Sequence, residues 1–268
     1  MSYRLMALST LLLLCASMAG AQGVVTKGPL EFEFNADIAG ATSGNADLRL
    51  DTVDQLFQYW YWYRIAGDTA ETVFPVPDTQ DYTGSIATLT WDDVNGDGFA
   101  AELVVDVRDC SIPGDCLATS PGGNVLTSLT LTNNSGASLD IQVFTYFDFD
   151  VAGSAAADAA ALGNVFGPSI GIDDGATHVD VLTFNRDLQV TVFADIRDEL
   201  NDTDVDNLDG SGLPFGPADF TAALQEQEVI PAAGVATLTE GIFLDTGILF
   251  VDGFETGDTS LWSAVVGN

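Results

Sequence analysis

Phe99-Ala100-Ala101-Glu102-Leu103-Val104-Val105-Asp106-Val107 places Phe99, Ala101, Leu103, Val105 and Val107 on one phase and Glu102 and Asp106 on the other. A period of two marks a strand with one face buried. The same period continues in Val125, Thr127, Leu129 and Leu131, which alternate with Ser128, Thr130 and Thr132. It returns in Leu139, Ile141, Val143, Thr145, Phe147 and Phe149. Asn133-Asn134-Ser135-Gly136 reads as a hairpin connection, as does Asn185-Arg186-Asp187 between Val179-Val181 and Leu188-Val190-Val192. Helical composition is confined to residues 155–162 and 218–227. Residues 22–250 are therefore expected to form one all-β domain, a sandwich or jelly roll of about ten to twelve antiparallel strands.

Composition narrows the function. The 268 residues carry 7 Lys and Arg against 40 Asp and Glu, a formal net charge of −33, with one histidine. Nucleic acid binding needs clustered cations to neutralise phosphates, and none are clustered here. An anionic membrane surface is excluded on the same ground. Disorder is disfavoured because 47% of the residues are hydrophobic and 10% aromatic.

Residues 1–21 have the pattern of a secretory signal peptide: Arg4, an apolar run over residues 5–15, then Ala19-Gly20-Ala21. The run is too short to span a membrane, so no membrane insertion is expected after cleavage. The expected location is secreted or cell surface. Cleavage removes Cys15 and leaves Cys110 and Cys116 around Pro113-Gly114, which suggests one local disulfide. A short loop of this kind stabilises by the low end of about 2–4 kcal/mol. The flanking Asp109 and Asp115 would raise a thiol pKa, which argues against a redox role.

Several stretches carry candidate chemistry. Asp93-Val94-Asn95-Gly96-Asp97-Gly98 has oxygen ligands at positions 1, 3 and 5 and Gly at 6, the opening of a calcium loop. Its ninth and twelfth positions are Ala101 and Val104, however, and a polar hairpin turn is the alternative. Asp202, Asp204 and Asp206 repeat the spacing in an acidic run, where a divalent cation would relieve repulsion; the alternative is a solvated loop. Gly167-Pro168-Ser169-Ile170-Gly171 spells the nucleophile pattern G-x-S-x-G, but without the strand-to-helix context that makes the serine reactive. His178 near Asp180 reads as an ordinary strand residue. Phe57-Gln58-Tyr59-Trp60-Tyr61-Trp62-Tyr63-Arg64 sets Trp60, Trp62 and Arg64 on one phase. If that phase faces solvent, it is a platform for sugars; if both phases are covered, it is a central strand, the reading that large aromatics favour.

Asp54 through Arg64, followed by Gly67-Asp68-Thr69-Ala70-Glu71, resembles the opening motif of uncharacterised secreted bacterial β-rich proteins, whose relatives often carry a PEP-CTERM sorting signal. Leu129-Thr130-Leu131-Thr132-Asn133-Asn134-Ser135-Gly136, with residues 144–150, resembles a second motif of that family. Phe215-Gly216-Pro217-Ala218-Asp219-Phe220 resembles a third, without its Trp. The resemblance spans most of residues 50–240 and implies export and a β-rich fold, with no catalytic residues to carry over. The chain departs from the family at its end: residues 251–268 have no Pro-Glu-Pro, membrane helix or basic terminus. Phe250-Val251-Asp252-Gly253-Phe254-Glu255-Thr256-Gly257-Asp258 instead resembles a DGFESGD-type tail of other exported bacterial proteins, with sorting or surface attachment as its implied role.

The sequence thus points to a secreted, non-catalytic, calcium-stabilised β-sandwich of the cell surface or extracellular matrix, with extracellular polysaccharide as a candidate partner. A carbohydrate-binding module using Trp60, Trp62 and Arg64 is the first alternative. A glycan hydrolase using two carboxylates is the second.

Overall fold

The computed structural model describes residues 23–34, 46–109, 122–163, 169–175, 177–182 and 186–245. Seventeen strands lie among them. The first six are β1 (Gly23–Lys27), β2 (Leu30–Phe34), β3 (Ala46–Leu50), β4 (Val53–Leu56), β5 (Gln58–Ile65) and β6 (Thr72–Val73). Next come β7 (Thr79–Thr83), β8 (Ile86–Trp91), β9 (Phe99–Arg108), β10 (Gly123–Asn133) and β11 (Leu139–Asp148). The last six are β12 (Ala159–Gly163), β13 (Ser169–Asp173), β14 (His178–Leu182), β15 (Asp187–Val192), β16 (Phe220–Ile230) and β17 (Val235–Asp245). One short helix, α1 (Asp195–Glu199), follows β15.

The strands make three antiparallel sheets: β1-β2-β3-β4, β12-β13-β14-β17-β10-β9-β8-β7, and β15-β16-β11-β5-β6. The fold is the expected all-β sandwich, with more strands than expected. The surplus comes from short strands such as β1 to β4, whose four or five residues are too few to show a period.

The eight- and five-stranded sheets face each other across the core. Leu103, Val105, Val125, Leu129, Leu238 and Ile242 from one meet Tyr61, Tyr63, Val143, Phe147 and Leu224 from the other, all buried. A polar network sits inside this core. Glu240 of β17 accepts from the Tyr59 hydroxyl at 2.8 Å and the Arg186 guanidinium at 2.6 Å, and from Thr145. Arg186 also meets Glu226 at 2.5 Å. A buried carboxylate is tolerated when its lone pairs meet donors of this kind. Burial, followed by the nearby Glu240 charge, holds the Tyr59 hydroxyl well above the usual phenol range.

Three expectations fail here. Residues 155–162 hold a single turn, Ala155–Ala157, and then strand β12, rather than a helix. Residues 218–227 run mostly in β16, which pairs with β11 on one side and β15 on the other. Ladder bonds on both edges outweigh the modest helix preference of Ala and Gln. The two supposed hairpins are arches between sheets: β10 and β14 belong to the eight-stranded sheet, β11 and β15 to the five-stranded one. At the first arch Asn133 holds the corner, donating to the carbonyls of Ala137 at 2.8 Å and Ile230 at 2.9 Å. Local periodicity finds a strand but not its partner.

Candidate functional site

The aromatic strand is covered on both faces. Tyr59, Tyr61 and Tyr63 point into the core, while Trp60 and Trp62, each 0% exposed, point to the outer face of the five-stranded sheet. α1 and the loop after it close over Trp62, with Ile196, Leu200 and Leu208 buried, while Trp60 packs against Trp91 with ring centroids 6.3 Å apart. The Trp62 indole donates to Asn201 at 3.2 Å and the Trp60 indole to the Phe74 carbonyl at 2.9 Å. Arg64 is buried, paired with Glu71 and donating to Asn207 at 2.6 Å and to the Asp206 carbonyl. Neither indole offers a ring face to a sugar, so the stacking platform of Trp60, Trp62 and Arg64 is not formed. Stacking on a ligand requires an open face.

The two acidic motifs are tied to the protein. Asp93 accepts the Gly98 amide at 2.8 Å. Asn95 donates to the Tyr63 hydroxyl at 3.0 Å, and that hydroxyl donates to Asp97. This segment is the turn of the β8–β9 hairpin, with Asn95 at φ 53°. In the second motif Asp202 accepts the Asp204 amide at 2.7 Å, and the Asp206 backbone binds Arg64 and Glu71. The loop is thereby pinned over Trp62. Among the described residues no three His, Cys, Asp or Glu side chains stand ready-spaced around a metal position. Cys110 and Cys116 lie outside the described residues, as do residues 1–22 and 246–268.

A different constellation lies on the outer face of the eight-stranded sheet, at β12 to β14. Register aligns Ala161 with Gly171 and Gly171 with Asp180, and Asp173 with His178, so these side chains share one face. Asp180, 1% exposed, accepts from the Ser169 hydroxyl at 3.4 Å and meets His178 Nε2 at 3.1 Å. His178 Nδ1 lies 3.4 Å from the exposed carboxylate of Asp173. The hydrogen bond to Asp180 is the largest influence raising the His178 pKa, which favours the imidazolium.

Two glycines make room for this group. A Cβ at Gly171 would approach His178 Cε1 to 3.1 Å, and one at Gly163 would meet Ser169 Oγ at 2.4 Å. Beside them opens a mainly apolar recess of about 440 Å³, lined by Ala161, Leu162, Gly171, His178, Pro214 and Phe215. Its size falls in the range of small-ligand sites. Another hollow, of about 510 Å³, surrounds Arg49, but that guanidinium is already held by Glu31, Glu33 and Asp47.

The arrangement does not make a serine nucleophile. Ser169 is buried at the start of β13, and Asp180 stands between it and His178. A nucleophile relay needs the imidazole in the middle. What remains is a mainly apolar recess beside an imidazole and two carboxylates, groups able to bond hydroxyls. Sequence inspection set His178 aside as ordinary, although the His-x-Asp spacing on a strand already put both groups on one face.

No protein-family model matches the chain. No curated protein matches it either. Among solved structures it is similar to a bacterial glucoamylase complexed with acarbose, at 6% identity and TM-score 0.54, covering 86% of this chain and 33% of that one. The chain thus spans about a third of that enzyme's length. It is also similar to a protein assigned as an aldose 1-epimerase from Escherichia coli K12, at 8% identity and TM-score 0.51, covering 85% and 99% of the two chains. At these identities the likeness is one of fold, a β-sandwich architecture shared with sugar-acting proteins.

Proposed function

We propose that this protein is an exported, non-catalytic β-sandwich of the cell surface or extracellular matrix that holds a neutral glycan in the recess beside His178. The supporting observation is the pairing of a mainly apolar recess, with Leu162 69% exposed at its rim on the edge strand β12, and the Asp173–His178–Asp180 wall. A sugar presents C–H faces and hydroxyl edges, which such a site matches one for one. The net charge of −33 repels anionic polysaccharides and leaves neutral ones as the fitting class. Both carboxylates contact the same imidazole, an arrangement suited to hydroxyl recognition; hydrolysis uses two carboxyls on opposite sides of a glycosidic bond.

Affinity electrophoresis of the mature chain through gels containing neutral and anionic polysaccharides tests this. At least one neutral glycan should retard the protein, and Leu162→Glu should abolish the retardation without changing the melting temperature. Retardation by no neutral glycan, or equal retardation of the Leu162→Glu protein, would overturn the proposal. A steady change in optical rotation of a free aldose under the same conditions would move the assignment to catalysis.

A further inference from the structure

At one end of the five-stranded sheet, carboxylates from three parts of the chain meet without enough donors. Asp148 ends β11, opposite Gln58 and Thr221 in register. Asp150 opens the next turn and makes no side-chain cap bond there. Asp158 precedes β12 and Asp219 precedes β16. Asp54 comes from β4, which packs on the turn Val151–Gly153, where Gln55 accepts the Ala152 amide at 3.0 Å.

Two of these carboxylates are almost wholly buried: Asp148 is 1% exposed and Asp158 0%. Asp158 Oδ2 accepts the Val151 amide at 3.1 Å, but Oδ1 is buried with no partner, as are Asp148 Oδ2 and Asp219 Oδ1. Buried carboxylate oxygens left without donors are costly, and they are rare in folded proteins. The groups also feel one another: Asp148 is influenced by Asp150, Asp219 and Asp54, and Asp158 by Asp150 and Asp219. Arg197 is the cation that acts on Asp148, and its Nη1 is bonded to Gln58 at 3.3 Å.

We propose that Asp148, Asp150, Asp158 and Asp219, with Asp54 beside them, form a calcium site that ties the end of β11 to the starts of β12 and β16. The ligands are all oxygens, carried by β4, by the end of β11 and by the segments before β12 and β16. A set of four or five carboxylates suits the six- to eightfold coordination of calcium better than magnesium, which takes one or two carboxylates and keeps its waters. An arriving ion draws the carboxylates in, since no three of them stand ready-spaced without it. Burial, then Asp150 and Asp219, lifts the Asp148 pKa to about 8, so binding the ion also displaces protons. The site is separate from the Asp93-Asn95-Asp97 turn and from the Asp202–Asp206 loop.

Calorimetric titration of calcium into the chelator-treated mature chain tests the site. One ion should bind per chain and raise the melting temperature. Asp148→Asn and Asp158→Asn should each weaken binding at least about tenfold, as loss of a charged ligand does. Asp93→Ala and Asp202→Ala should leave it unchanged. In chelator, Asp148→Asn should melt at or above the wild type, because it removes an uncompensated charge; a purely structural aspartate would show the reverse. If either buried-site variant fails to fold, the half-exposed Asp219→Asn takes its place in the comparison. Absence of calcium binding by the wild type, or wild-type affinity in the Asn variants, would overturn the proposal.

Discussion

The outer faces of the two large sheets differ in what covers them. On the five-stranded sheet Trp60, Trp62 and Tyr146 lie at 0% exposure, Trp62 bonded to Asn201 after α1 and Trp60 to the Phe74 carbonyl. On the eight-stranded sheet the β12–β14 end carries Gly171, Ala161, His178 and Asp173 beside an open recess. The face richest in aromatics is the sealed one, and the open one is built from small residues and a His-Asp pair. A ring that binds a ligand must stay exposed, and large exposed aromatics are costly unless a ligand covers them. Small residues instead leave space that a ligand can fill.

The largest expected effect that could break this comparison is on the sealed face. Trp62→Ala should cost about 3–5 kcal/mol, the usual result of emptying a buried aromatic site. A urea midpoint unchanged from wild type would show the face to be open. Arg64→Met strands Glu71, whose side chain is 1% exposed, and loosens the Asp206–Asn207 cover. Breaking a buried pair from one side costs about 3–5 kcal/mol, and limited proteolysis should then cut between residues 200 and 210. Protection equal to wild type would mean the loop is held by something else.

Acid titration in chelator tests the aspartate end of the same sheet. Burial, followed by nearby carboxylates, raises Asp148 to about 8 and Asp158 to about 7 in the folded protein. In the unfolded chain both ionise near pH 4. As pH rises from about 4 to about 8, the unfolded chain releases protons that the folded one keeps, so stability falls through that window and then levels. Thermal melts at stepped pH should show this decline, shallower in Asp148→Asn. A slope identical in wild type and variant would place the titration elsewhere. The smallest effect is on the open face: Leu162→Glu, at a side chain 69% exposed, should shift stability within about the ±0.5 kcal/mol typical of surface changes.

The sequence foretold the sandwich because alternation reports burial directly: Leu103, Val105, Leu129 and Ile141 all lie inside as their phase requires. It also pointed to Trp60 and Trp62 as core residues ahead of any platform. It did not reveal the arches after β10 and β14, since a turn signal does not name the sheet that the next strand joins. Nor did it show the aspartate cluster. Asp54, Asp148, Asp158 and Asp219 are far apart along the chain, and only the pairing of β11 with β5 and β16 brings their ends together. The Asp93 and Asp202 runs drew notice because they are local. Their side chains bond neighbouring backbone amides, as short polar residues in turns commonly do.

The proposed glycan recognition belongs to the recess and not to the aromatic strand. Gel retardation by the best-retained neutral polysaccharide should be compared for two folded variants, Trp62→Phe and Leu162→Glu. Wild-type retardation of Trp62→Phe with loss in Leu162→Glu is the predicted result. Loss in Trp62→Phe with full retardation of Leu162→Glu would contradict it.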